Sequence, residues 1–180
     1  MRLPALILLT ICILMATGCS EDETKVSYIV CESTYALCTT AKCTSIEEGQ
    51  ETVLCDCEVK TGYSVGSTPC HEPIETPEGK QVVSRYFPIK SFAFCTNERP
   101  WAWCYDRPCI VDKGDPTRAA CACNIVENDG PYVMVTDSYT DATCTTGFYS
   151  SARVKDLKRV TEFLKTNADL KSFALKQVNK

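Results

Sequence analysis

Residues 38–57 read CTTAKCTSIEEGQETVLCDC, and residues 104–123 read CYDRPCIVDKGDPTRAACAC. Both are C-x4-C-x11-C-x-C, spaced identically. One cysteine precedes each run (Cys31, Cys95) and one follows it (Cys70, Cys144), so the chain is organised as two six-cysteine units. Units this small sit near the limit at which disulfides, metals or association must supplement a hydrophobic core. Dense cysteine in such units belongs to an oxidising compartment.

The C-x-C half of each run reads as a strand. In 52–59 (TVLCDCEV), Val53, Cys55, Cys57 and Val59 alternate with Leu54, Asp56 and Glu58, and the cysteine face is expected to be buried. The turn signal Glu47-Glu48-Gly49-Gln50 makes this a hairpin with Cys43 and Cys55 on its two arms. Residues i and i+2 of a strand lie about 6.5–7 Å apart with parallel side chains, so Cys55 and Cys57 need different partners. The other pairings of six cysteines stay open. The nested set Cys31–Cys70, Cys38–Cys57 and Cys43–Cys55, with matching bonds in the second unit, is preferred because it keeps the invariant spacing inside the inner pairs.

The first unit, 26–80, opens on a strand-like VSYIV (26–30), followed by a short extended candidate at Tyr35-Ala36-Leu37-Cys38. It closes on 71–80 (HEPIETPEGK), which has no apolar period and reads as a linker. The second unit, 81–149, opens on a β-rich stretch, 81–94, interrupted by Pro88. Trp101-Ala102-Trp103-Cys104 stands in the place of Tyr35-Ala36-Leu37-Cys38, and 119–126 (AACACNIV) repeats the C-x-C strand. A turn at 128–131 and an added strand at 132–136 (YVMVT) account for the longer gap to Cys144. In the tail, 150–180, cysteine disappears. Val154, Leu157, Val160, Thr161 and Leu164 have helical spacing, with Ser151 as the expected N-cap and a second short helix expected over 168–178.

Residues 1–18 are a signal peptide: Arg2, then an apolar run from Leu3 to Met15, too short to span a bilayer, then small residues. Ala16-Thr17-Gly18-Cys19 resembles the lipobox of bacterial lipoproteins, with Ala16 where that class most often has Leu. The resemblance covers about twenty residues. It implies that Cys19 becomes the first residue of the mature chain, is acylated there (a palmitate-type anchor), and holds the protein on a membrane through the tether 19–25. Ser20 after the cysteine resembles outer-membrane sorting in bacteria that have one. Parity agrees: of 14 cysteines, Cys12 lies in the removed segment, and lipidation of Cys19 leaves two sixes. An exposed unpaired thiol is otherwise a liability in an oxidising compartment.

Charge is divided. Residues 20–150 carry 10 Lys and Arg against 20 Asp and Glu, whereas 151–180 carry 8 against 3. An acidic body argues against nucleic-acid binding. The basic amphipathic tail suits either anionic lipid or the protein's own acidic surface.

No stretch reads as an active site. C-x-x-C is absent, which disfavours thiol redox chemistry. The only histidine, His71, sits beside Cys70, and neither the acidic cluster Glu47, Glu48, Glu51 nor the pair Asp137, Asp141 has calcium-loop spacing. Trp101 and Trp103, at i and i+2, share one face of a strand and with Tyr105 could form a platform for a sugar ring or a partner peptide.

The expectation is a mainly β, disulfide-rich protein of two tandem β-hairpin modules plus a short helical tail. Its role is expected to be binding or structural in the cell envelope, facing an envelope or extracellular protein or glycan, without enzyme activity or cofactor. One rival is a disulfide-scaffold inhibitor of a protease or other hydrolase presenting 71–80 or 129–143. Another is a thiol metal-binding protein, since each C-x4-C with its C-x-C offers four sulfurs.

Overall fold

The computed structural model describes residues 26–44, 46–86, 90–167 and 176–179. The expected signal peptide, Cys19 and the expected tether, Pro88 and most of the second expected helix lie outside the described residues. In chain order the strands are β1 (Ile29–Cys43), β2 (Thr52–Gly66), β3 (Ile74–Glu75), β4 (Lys80–Arg85), β5 (Ser91–Cys95), β6 (Trp101–Trp103), β7 (Pro108–Val111), β8 (Arg118–Val126), β9 (Tyr132–Met134) and β10 (Ala152–Arg153). The helix α1 (Val154–Thr166) and strand β11 (Lys176–Gln177) complete the list.

The two units do not form separate hairpin modules. Strand order runs β1-β2-β8-β7-β4, and β4 returns to lie parallel to β1, pairing Ala36 with Ser84 and Leu37 with Arg85. The result is one closed five-stranded barrel built from both units, with β6 continuing the edge of β7 along β8. The cause lies in the buried face of each C-x-C strand, which one hairpin cannot cover. The two C-x-C strands pair with each other instead: β2 and β8 run antiparallel with Cys55 opposite Cys121, Val53 opposite Cys123 and Cys57 opposite Ala119. Since Cys55 and Cys121 hold equivalent places in the two runs, the pairing is a local two-fold about that residue pair.

The six disulfides are Cys31–Cys70, Cys38–Cys57, Cys43–Cys55, Cys95–Cys144, Cys104–Cys123 and Cys109–Cys121, nested and local to each unit. Corresponding bonds have nearly equal Cα separations: 3.9 and 4.0 Å for the innermost, 4.6 and 4.6 Å for the middle, 5.5 and 5.5 Å for the outermost. The inner four fill the barrel. Eight of its 15 core residues are their cysteines and the rest are Ala or Val. The sulfurs of Cys38, Cys57 and Cys121 lie within 4.8 Å of one another, as do their two-fold mates Cys104, Cys123 and Cys55. All six are spent in disulfides, so these clusters offer no thiolate to a metal.

The spacing forces a distortion. A five-residue step from Cys38 to Cys43 faces a two-residue step from Cys57 back to Cys55, and the excess bulges out of β1 between Leu37 and Lys42. The second unit has the same break between β6 and β7. Each bulge places a non-glycine residue at positive φ two positions after its first cysteine: Thr40 at 58° and Asp106 at 53°, a region that costs L-residues. Both are held by side-chain hydrogen bonds. The Thr40 hydroxyl donates to the Val135 carbonyl. Asp106 accepts from the Ser67 amide and hydroxyl at 2.6 and 2.7 Å and pairs with Arg85 Nη1 at 3.3 Å.

The Arg85–Asp106 pair is buried, its side chains 3% and 7% exposed. Arg85 also donates to the carbonyls of Thr68 and Ile29 at 3.1 and 3.0 Å, and Nη2 touches Cys31 Sγ at 2.9 Å. Gly66 is what lets the pair approach the backbone: a Cβ there would lie 2.3 Å from both Arg85 Nη1 and Asp106 Oδ1.

Outside the barrel, β10, β9, β5 and β11 form a second sheet. Segment 148–151 joins the layers by hydrogen bonds from Cys43 and Ala102 amides to Phe148 and Tyr149 carbonyls. Three expectations are corrected. The linker 71–80 is the start of a β3–β4 hairpin, with Ile74 opposite Gln81; β3 is only two residues long and fully exposed, so its polar composition is tolerated. The N-cap of α1 is Arg153 rather than Ser151, without a side-chain capping bond, and Ser151 is buried. Lys176 and Gln177, placed in a second helix, are a strand parallel to β5. The expected α1 is present, with Leu157, Val160, Thr161 and Leu164 buried against the body.

Removing one member of a buried ion pair strands the other, so Asp106→Ala is expected to cost about 3–5 kcal/mol in denaturant unfolding of the oxidised protein. Gly66→Ala displaces the same pair. The double variant is therefore expected to fall short of additivity by about 1 kcal/mol or more. Additive costs would show that Gly66 does not serve the pair.

Candidate functional site

β6 and the bulge after it carry Trp101, Trp103 and Tyr105 on the side of the barrel that faces α1. The alternation of β6 puts both tryptophans on one face, their rings 5.9 Å apart and edge-on. They do not share one exposure. Trp101 is 3% exposed, stacked with Tyr132 at 6.1 Å and packed against the Cys95–Cys144 bond. Trp103 and Tyr105 instead line a cavity of about 300 Å³ between the barrel and α1.

The cavity has walls from six parts of the described chain, Val135 after β9 among them. Tyr86, just after β4, lies parallel to the Tyr105 ring at 5.2 Å and tilted to Trp103 at 6.2 Å. Val26 and Tyr28 come from the start of the described chain, Ser67 from the loop after β2, and Lys155, Asp156, Arg159 and Val160 from the first turns of α1. Tyr28 is fixed by the Phe163 ring at 5.5 Å, on the helix face that buries Val160 and Leu164 against Val65. The helix thus roofs the site with the same packing that holds it to the body.

Polar groups in this wall are under-satisfied. The buried hydroxyls of Tyr86 and Tyr105 have no hydrogen-bond partner among the described residues; Ser150 Oγ lies near the Tyr86 hydroxyl, outside hydrogen-bond geometry. A buried polar group without a partner costs about 1–3 kcal/mol; both hydroxyl oxygens are closed off from the cavity, so the rings rather than the hydroxyls line it. Burial pushes the phenols of Tyr86 and Tyr105 well above their ordinary value, so both remain O–H donors at neutral pH.

The rim is charged. Arg153 pairs with Asp129 at 2.5 Å and sits over the Trp103 and Trp101 rings, 5.5 and 5.8 Å from their centroids. Lys155 and Arg159 stand beside it. Among the described residues Asp156 is the one carboxylate lining the cavity, and burial raises its pKa although Arg153, Lys155 and Arg159 pull the other way.

Of the platform residues, Trp103 and Tyr105 reach the cavity and Trp101 supports them from below. Tyr28, Tyr86 and the helix residues had no sequence signal beyond aromatic composition and a helical period. His71 is exposed, and its neighbour Cys70 is bonded to Cys31. Stretch 129–143 is tied down at β9 and, just beyond it, by Cys144.

No family model, curated protein or solved structure matches the chain. Its class rests on the fold: a five-stranded barrel cored by four disulfides, with an aromatic cavity beneath a helix. Six disulfides suggest an oxidising, exported location, and no helix among the described residues is long and apolar enough to cross a membrane.

The sign of the Asp156 shift sets a pH signature. The raised folded value means the folded protein takes up this proton before the unfolded chain does. The charge at Asp156 therefore costs stability at neutral pH, and the cost is relieved as pH falls through the folded pKa toward the ordinary 3.8. Asp156→Asn removes it: the variant should melt higher than the parent at pH 7, the gap closing on acidification. The groups facing Asp156 are Arg153, Lys155, Arg159, Asp129 and Tyr28. A gap that is constant with pH, measured by thermal melts, would refute this assignment.

Proposed function

We propose that the protein is a lipid-anchored, non-enzymatic binding module of the cell envelope, whose binding site is the cavity between the barrel and α1. The observation that carries the binding reading is the cavity wall itself. The rings of Tyr28, Tyr86, Trp103 and Tyr105 converge on about 300 Å³ of space, rimmed by Arg153, Lys155, Asp156 and Arg159. Such a concave, mostly apolar surface with a few convergent polar groups is the usual form of a small-molecule site.

The anchor rests on the lipobox-like ATGC at 16–19 and on cysteine parity: twelve cysteines are paired in the fold, and Cys19 is the one left over in the mature chain. Val26, which lines the cavity, follows Cys19 by seven residues. An extended chain spans at most about 3.3–3.6 Å per residue, so an acylated Cys19 would hold the cavity within roughly 25 Å of the membrane. Two or more acyl chains make such anchoring stable, at about 0.8 kcal/mol per buried CH2. In bacteria with an outer membrane, Ser20 favours that membrane as the site.

In the native host, Cys19→Ala is expected to move the protein from the membrane pellet to the soluble fraction. The parent's intact mass should carry a lipid adduct and no free thiol. Continued pelleting of Cys19→Ala would overturn the anchor. Native mass spectrometry of the detergent-extracted parent should show a bound small molecule that is lost in Trp103→Ala with all six disulfides intact. Retention of that molecule would overturn the cavity as the site.

A further inference from the structure

The charges around the cavity are not arranged for a neutral ligand. Resting on the reading of this cavity as a binding site, we infer that its ligand is an apolar anion: a molecule with a ring or acyl body and one anionic group, the body against Tyr86, Trp103 and Tyr105 and the anion at the first turn of α1.

Three observations bear on this. Among the described residues, cations outnumber carboxylates on the wall, with Arg153, Lys155 and Arg159 against Asp156. Two of those cations have work inside the protein: Arg153 pairs with Asp129 and covers the tryptophans, and Arg159 faces Tyr28 and Asp156. Lys155 is exposed and makes no ion pair among the described residues. Its compact ammonium is thus available to an incoming anion.

The helix end adds to this charge. α1 starts at Val154 with no side-chain cap on its first N–H groups, and the N-terminal end of a helix carries about half a positive charge. Its first-turn residues Lys155 and Asp156 line the cavity. An anionic oxygen accepts hydrogen bonds from the free N–H groups at such an end. A cationic ligand would meet the aromatic rings but also three like charges at the mouth. A neutral sugar would leave the ammonium unmatched.

The volume limits the body. About 300 Å³ is at the lower end of small-molecule sites, which fits one aryl system or one short acyl chain rather than a two-chain lipid.

Two dyes of nearly equal shape separate charge from apolarity: 8-anilinonaphthalene-1-sulfonate, an anion, and N-phenyl-1-naphthylamine, its neutral counterpart. The chain's two tryptophans, Trp101 and Trp103, flank the site and serve as energy-transfer donors. With the oxidised, acyl-free protein (Cys19→Ala), the anionic dye is expected to bind with a saturable 1:1 signal, several-fold more tightly than the neutral one. Lys155→Glu, at an exposed position, should weaken the anion about fivefold and leave the neutral dye unchanged. Displacement by decanoate identifies an acyl body, and displacement by 1-naphthoate an aryl one. Equal binding of both dyes, or no effect of Lys155→Glu, overturns the anion inference while leaving the cavity as a binding site. Binding of neither dye overturns the cavity reading as well. Dye that neither carboxylate displaces is at another surface, and the inference falls.

Discussion

Four disulfides stacked inside a narrow barrel are the constraint from which the rest of this structure follows. Among the described residues its buried cluster is eight half-cystines with Ala and Val, and Ile46, Ile125 and Phe148 pack against it only from partly buried positions. A barrel of so few strands has little room between its walls, and the sulfurs are both its cross-links and most of its filling. The bonds also fix strand offset. Cys43 opposite Cys55 and Cys109 opposite Cys121 hold the β1–β2 and β7–β8 registers, and the two C-x-C strands meet at Cys55 and Cys121. A slip of one residue would turn the sulfurs outward.

The two-fold arrangement of that core explains why the units fuse. Sequence alternation identifies the buried faces of β2 and β8 correctly, and the turn at 47–50 is legible from its residues; spacing separates Cys55 from Cys57 and favours the nested bonds without deciding among the pairings left open. What spacing cannot show is which surface covers a buried face. Each cysteine face is expected to be covered within its own hairpin, but two equivalent faces are complementary to each other. No local residue pattern marks a contact between strands 66 residues apart. The closing strand β4 is hidden for a related reason. It touches β1 through two residue pairs only and follows an exposed, proline-containing hairpin whose polarity reads as linker.

The site was half legible on the same terms. The i, i+2 spacing of Trp101 and Trp103 places them on one face, and they are on one face. Their different depths depend on neighbours far away in sequence: Tyr132 and the Cys95–Cys144 bond bury the first, while the second is left beside Tyr86 and the helix. The tail's helical period and its basic composition were both visible. Its partner was not, because the apolar stripe of α1 is equally suited to lipid and to the Val65, Tyr28 and Val30 surface it covers.

Core and cavity are joined through the bulge that the cysteine spacing imposes. Asp106 occupies the positive-φ position of the second bulge, next to Tyr105. Its carboxylate holds Ser67 and Arg85, and Arg85 is next to Tyr86. Three cavity residues, Ser67, Tyr86 and Tyr105, are therefore members or immediate neighbours of one buried ion-pair network. The first bulge has no such carboxylate: Thr40, which corresponds to Asp106, donates instead to the carbonyl of Val135, a residue that also lines the cavity. Backbone strain at Asp106 is the cost of placing a carboxylate where it can fix two aromatic walls, and rigid walls lower the ordering entropy a ligand must overcome.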